Sequence, residues 1–137
     1  FDELIRVWDE IDRYLVWLDS HPTTNREVLA LVLEPGSEAF VARSELLAQL
    51  AQFDYRIIGS SFLGDVTAFS CCPDPQRDVD AGVITVAVQS RSTSPTATAI
   101  DSEGQVVAEL PGWDLREWRI VFRRAENGEW RIVSFSS

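Results

Sequence analysis

Apolar positions recur at helical spacing over the first twenty residues. Leu4, Val7, Trp8, Ile11, Tyr14, Leu15 and Leu18 fall on one arc about 120° wide, with Asp2, Arg6, Asp9, Asp12 and Arg13 elsewhere on the cylinder. This pattern predicts an amphipathic helix over 3–20, with Asp2 and Glu3 at the positive end of its dipole. It stops before Pro22, which disfavours the helical conformation for His21. Asn25 is a helix cap, so a second helix is expected over 26–33, ended by Pro35-Gly36. Ser37 caps a third, expected over 38–52 and carrying Phe40, Leu46, Leu47, Leu50 and, just beyond it, Phe53.

From Tyr55 the period falls to two. Strands are expected over 55–58, 66–71, 83–91, 96–101, 105–110, 116–124 and 129–135. The run CPDPQRDVDAG at 72–82 holds two Pro, three Asp and a Gly and predicts a surface loop. Asn127-Gly128 predicts a two-residue type I′ turn. That turn sets Phe122 opposite Val133 and Ile120 opposite Phe135 on the face toward the helices, and leaves Val121, Trp130 and Ile132 on the outer face. Three helices followed by antiparallel strands make an α+β domain, with helices covering one face of a curved sheet. No linker or repeat divides residues 1–137, so one domain is expected.

Composition narrows the possible partners. The chain has 137 residues, 45% of them apolar, which is enough for a core that needs neither metal nor disulfide. Its 22 acidic residues outnumber 12 basic ones, all arginine, giving a formal charge of −10. That charge repels phosphate backbones and anionic lipid, so nucleic acid is not an expected partner. No window reaches the length of apolar sequence a membrane helix needs. The chain begins at Phe1 and contains no Met, which reads as a piece excised from a longer precursor. Any membrane attachment would then run through a missing N-terminal anchor.

Few residues offer chemistry. His21 is the only histidine, and with two distant cysteines it falls short of the three or four ligands a zinc site requires, so neither metal nor cofactor is expected. No Gly-x-Ser-x-Gly elbow is present, and Gly59 and Gly64 do not open a phosphate-binding helix. Cys71 and Cys72 are adjacent at a strand end. A trans peptide would hold their Cα atoms about 3.8 Å apart, below the usual disulfide range, so both are expected free or one paired elsewhere. Trp17 and Trp113 are the aromatics a core explains least.

The order of elements resembles the nuclear transport factor 2-like superfamily, the cone-shaped fold of scytalone dehydratases, ketosteroid isomerases and polyketide cyclases. More narrowly it resembles uncharacterised extracytoplasmic domains of high-GC Gram-positive bacteria, often found behind a lipoprotein signal or a single membrane helix. The resemblance rests on IRVWDEIDRYL, ELLAQLAQFDYRIIGSSF, GDVTAF, IDSEGQVV and the closing FRRAENGEWRIVSF with its Gly-x-Trp-x-Ile. It implies a cone with a pocket between helices and sheet, for which Trp8, Tyr14, Trp118 and Phe122 are the candidate lining residues. The enzymatic relatives imply a tyrosine on the first helix as oxyanion donor, a role only Tyr14 could take, with a carboxylate deeper in the cone. No inward strand position supplies that carboxylate.

The expected function is therefore a non-enzymatic, extracytoplasmic domain that binds a small apolar ligand or an unknown protein. Val121, Trp130, Ile132 and Trp113 form the expected interaction surface, with homodimerisation through the outer sheet face. One alternative is a small lyase or isomerase of the ketosteroid isomerase or polyketide cyclase type, acting on an apolar carbonyl compound through Tyr14. A structural dimerisation or spacer module is the other.

Overall fold

Helix α1 (Asp2–Ser20) forms because Leu4, Trp8, Ile11, Leu15 and Leu18 share one buried stripe; Asp12 and Asp19 are buried on the same helix. The structure, a computed structural model, describes residues 2–59 and 63–136; residues 60–62, the end of the ELLAQLAQFDYRIIGSSF run, lie outside the described residues. Helix α2 (Glu38–Phe53) starts where the Ser37 hydroxyl accepts the Phe40 N–H at 3.2 Å, and it ends at Asp54 in the left-handed conformation. Both helices agree with the sequence pattern.

The second expected helix is shorter and tighter. A 3₁₀ helix spans Arg26–Leu31, capped by the Asn25 side chain accepting the Glu27 N–H. Beyond it the chain becomes extended and joins a sheet edge: Ile132 N–H donates to Val32 C=O at 2.8 Å, and Glu34 N–H to Ile132 C=O at 2.9 Å. Val32 and Leu33 N–H still donate back to Leu29 C=O, and the two bonds to Ile132 end the helical run there and cover the edge of the last strand.

Seven strands follow among the described residues: β1 (Arg56–Gly59), β2 (Asp65–Cys71), β3 (Ile84–Ser92), β4 (Ala97–Ile100), β5 (Val106–Leu110), β6 (Trp113–Arg124) and β7 (Trp130–Ser136). They form two antiparallel sheets, β1-β4-β5 and β2-β3-β6-β7, in place of the one curved sheet the pattern predicts. The sheets meet at a crowded crossing near Gly112, where a Cβ would run into the Ser92 carbonyl. The core lies between the helices and the inner face of the four-stranded sheet, around Leu18, Leu29, Leu47, Val86, Val88, Ile120, Phe122 and Ile132.

Three expectations are corrected here. Residues 72–82 are not a plain loop but contain a short helix, α3 (Pro75–Ala81). Asp74 caps it by accepting the Arg77 N–H, Pro75 opens it, and Gly82 closes it at φ 67°. Its buried Asp78 accepts the Thr85 N–H at 2.6 Å and the Thr85 hydroxyl at 2.8 Å, which fastens α3 to the outer face of β3. Cys71 and Cys72 are bonded to each other. The peptide between them is cis, which brings the Cα atoms to 3.1 Å and removes the trans geometry on which the opposite expectation stood.

The third correction concerns the β6–β7 register. Gly128 N–H donates to Ala125 C=O, Ala125 N–H donates to Glu129 C=O, and Gly128 has φ 84° while Asn127 stays outside the positive region. The loop therefore has three residues, Glu126 to Gly128, not the two of a type I′ turn. The extra residue places Phe122 opposite Ile132. A bulge at Val133 then restores the pairing of Ile120 with Phe135. Ile132, expected outside, is 1% exposed in the core, and Trp130 packs against that core with it.

Candidate functional site

Between α1, α2 and β7 lies a cavity of about 250 Å³. Trp8 and Leu15 form the α1 wall, Ile132 and Phe135 the β7 wall, and Leu33 closes one end. The space exists because α2 presents Ala39 and Ala42 here, side chains too short to reach across, with Leu46 one turn further on. A second recess of about 220 Å³ opens toward the other sheet, walled by Val16, Ile57, Ala97 and Leu110. Arg43 and Leu46 line both.

Arg43 is the one charged side chain on the first cavity, and its charge is already engaged. Its Nη1 donates to both carboxylate oxygens of Asp19, at 2.7 and 2.8 Å, with both residues buried. Burial pushes the Asp19 carboxyl above its ordinary range, against the opposing pull of Arg43. Burial likewise lowers the Arg43 pKa, while Asp19 and the buried Asp12 act to raise it. The pair spans 24 residues and ties α2 to the end of α1. Its geometry makes it a strut behind the cavity wall and not a free anchor for an anion.

The four residues expected to line a pocket separate. Trp8 does line the cavity and stacks on Phe135, with ring centres 6.0 Å apart. Trp118 lies behind Phe135, stacked at 4.9 Å, with its Nε1–H donating to Ser90 Oγ at 2.9 Å. Phe122 is enclosed in the core at 1% exposure. Tyr14 points elsewhere: its hydroxyl donates to Val28 C=O at 2.9 Å and pins α1 to the 3₁₀ helix. At the exposed end of α1, Trp17 lies between the Tyr14 ring and the His21 ring, 6.4 and 4.4 Å from them.

Of the residues expected to form an interaction surface, Val121 alone is on the outer face, half-buried and paired with Thr85 and Ser134. Trp113 packs edge-on against Trp118 at 5.5 Å, donates Nε1–H to the Ser90 carbonyl at 3.1 Å, and carries the Arg116 guanidinium over its ring. Trp130 and Ile132 face the core. Among the described residues no group of three His, Cys, Asp or Glu side chains converges.

Sequence reasoning missed Phe135 as a cavity wall, the two alanines that make the space, and the Arg43–Asp19 pair. The alanines left a readable trace: small residues three apart on the same helix as Leu46. An ion pair between two helices leaves none.

No family model matches the chain, and a search of curated proteins returns no match. Among solved structures the chain is similar to the crystal structure of the intermembrane space region of the chloroplast protein ARC6. The TM-score is 0.60 at 16% identity, covering 98% of this chain and 91% of that one. At that identity the likeness is one of fold.

Proposed function

We propose that this chain is a non-enzymatic domain of the nuclear transport factor 2-like type that binds a small apolar ligand, or apolar side chains of a partner protein, in the cavity between α1, α2 and β7. The observation that carries the reading is a cavity walled by hydrocarbon and aromatic rings, with a single charged side chain neutralised by its own carboxylate. Its size is near the lower end for small-molecule sites and above the roughly 150 Å³ that accepts a benzene ring. An extracytoplasmic place is supported by the resemblance in the sequence and by the fold neighbour, a region of ARC6 that occupies the chloroplast intermembrane space. No helix among the described residues is long and apolar enough to cross a membrane.

The isomerase alternative finds less support, because the Tyr14 hydroxyl is committed to a backbone carbonyl away from the cavity. Self-association through the outer sheet face loses much of its motive, since Ile132 and Trp130 point inward and α3 covers Thr85. The test is titration with Nile red, a neutral apolar dye, read by dye emission and Trp8 quenching. Saturable binding of one dye per chain is expected, lost in Ala39→Phe and Ala42→Phe while the unfolding midpoint stays within a few degrees. Unchanged binding in both variants would remove the cavity from the reading.

A further inference from the structure

The arginines divide sharply by burial. Among the described residues only Arg43, Arg123 and Arg131 are not exposed. Arg43 is held by Asp19, and Arg123 Nη1 donates to Glu34. Arg131 makes no ion pair among the described residues, and its Nε is buried without a hydrogen-bond partner. In a chain of charge −10, with nearly two carboxylates for every guanidinium, a half-buried arginine without one is out of place.

Its surroundings increase the anomaly. Arg131 is directly opposite Arg123 across the β6–β7 ladder, and like charges in that relation destabilise a sheet. Together with Arg124, Glu34, Glu126 and Asn127 they line a polar recess of about 470 Å³ beside the hairpin loop. Arg124 covers the Trp130 ring at 5.0 Å and reaches Glu3 at 3.5 Å, so it is directed away from the gap. A site with a missing acceptor and two facing donor forks is what an oxyanion would complete.

We propose that the recess between Arg123 and Arg131 binds a carboxylate. Charge selects the class: Arg124 is taken by Glu3 and Arg123 by Glu34, so Arg131 is the cation of the recess left without a counter-ion among the described residues, which suits a monoanion, and Glu34 and Glu126 repel a phosphate dianion. Arg131 supplies the fork, Arg123 shares its guanidinium between Glu34 and the guest, and the Asn127 amide is within the same recess. The carboxylate can belong to a small acid or to a peptide terminus. The site is separate from the apolar cavity and stands whether or not that cavity takes a ligand.

The experiment is NMR of the arginine Nε–Hε signals of the whole chain, titrated with sodium acetate, with N-acetyl-trialanine bearing a free carboxylate, and with sodium phosphate and sodium chloride at matched ionic strength. The Arg131 signal is expected to shift saturably with acetate and the peptide, and to stay still with chloride. Phosphate should bind at least about tenfold more weakly than acetate. Arg131→Gln should weaken acetate binding by about tenfold, as loss of a charge-assisted bond predicts, and Glu34→Gln should strengthen it. Tighter binding of the peptide than of acetate assigns the source to a chain terminus; equal binding assigns it to small acids. If Arg131 fails to shift, or shifts no more than the exposed Arg56, the proposal is overturned. Acetate binding of unchanged strength in a folded Arg131→Gln variant, read at the Arg123 signal, overturns it as well.

Discussion

The two sheets meet the same pair of helices on different terms. Under the four-stranded sheet the contact is hydrocarbon: Val86, Val88, Ile120, Phe122 and Ile132 are almost wholly enclosed against Leu15, Leu18 and Leu47. Under the three-stranded sheet the inward face is uneven, with Ile57 and Leu110 beside the small Gly59, Ala97 and Ala99, and the helical side offers the Arg43–Asp19 pair next to an open recess. One interface is therefore held by excluded water and close packing, while the other is left partly open beside a charge pair that joins the two helices to each other and that burial itself opposes. The contrast continues outward. Strand β5 is exposed along its whole length, with Val106 at 58%, whereas β3 is sealed at four of its nine positions.

Four substitutions press on that contrast, beginning with the largest effect. Phe122→Ala should cost about 3–5 kcal/mol in chemical denaturation, because the ring is fully enclosed and its neighbours cannot close the void. A loss below about 1 kcal/mol would dissolve the distinction between the sheets. Next, Arg43→Met should cost about 3 kcal/mol by leaving Asp19 buried and unpaired. The double variant Arg43→Met with Asp19→Asn should recover most of that loss, which would show the pair to be a matter of mutual satisfaction and not of net attraction.

Asp78→Asn comes third and sharpens the comparison by probing a buried charged anchor on the hydrocarbon sheet. Burial raises the Asp78 pKa, but the Thr85 N–H and hydroxyl and the neighbouring Arg77 outweigh it and hold the carboxyl below its ordinary value. A depressed folded pKa means stability that is complete above the unfolded pKa of about 3.9 and is lost as pH falls through the folded value. The variant should lose about 1 kcal/mol at neutral pH and show a flatter acid limb below about pH 4. An acid limb identical to that of the parent would mean that Asp78 is not the group being titrated. Smallest is Val106→Thr on β5, expected to change stability by less than about 0.5 kcal/mol, measured beside Phe122→Ala under the same conditions.

What could be read from the sequence follows the range over which each signal acts. α1 and α2 were legible within a residue or two because their apolar stripes and the Ser37 cap are local. The α3 signals were equally local, yet Asp74, Pro75 and Gly82 serve turns as readily as helix ends. What separates the two is Asp78 finding Thr85, a contact the sequence does not display. The β6–β7 pairing was legible at Ile120 and Phe135 but not at Phe122, because an extra loop residue and a compensating bulge at Val133 cancel over the length of the hairpin. The cavity was legible only in Trp8. Its remaining walls come from Leu15 on α1, from α2, from Leu33 after the 3₁₀ helix and from β7, and their meeting depends on helix packing that no local pattern encodes.

The bonds joining residues 32–34 to Ile132 have a consequence for how the chain is made. During synthesis both helices leave the ribosome long before β7 does, so the segment between them waits through about a hundred residues for the strand it pairs with. Closing so long a loop costs only slowly more entropy with length, but it cannot begin until its far end exists. The helical layer therefore spends most of translation without the partner that walls its cavity, with Trp8 and Leu15 open to solvent. It is in this interval that the nascent chain is most exposed to chaperone capture or to premature association.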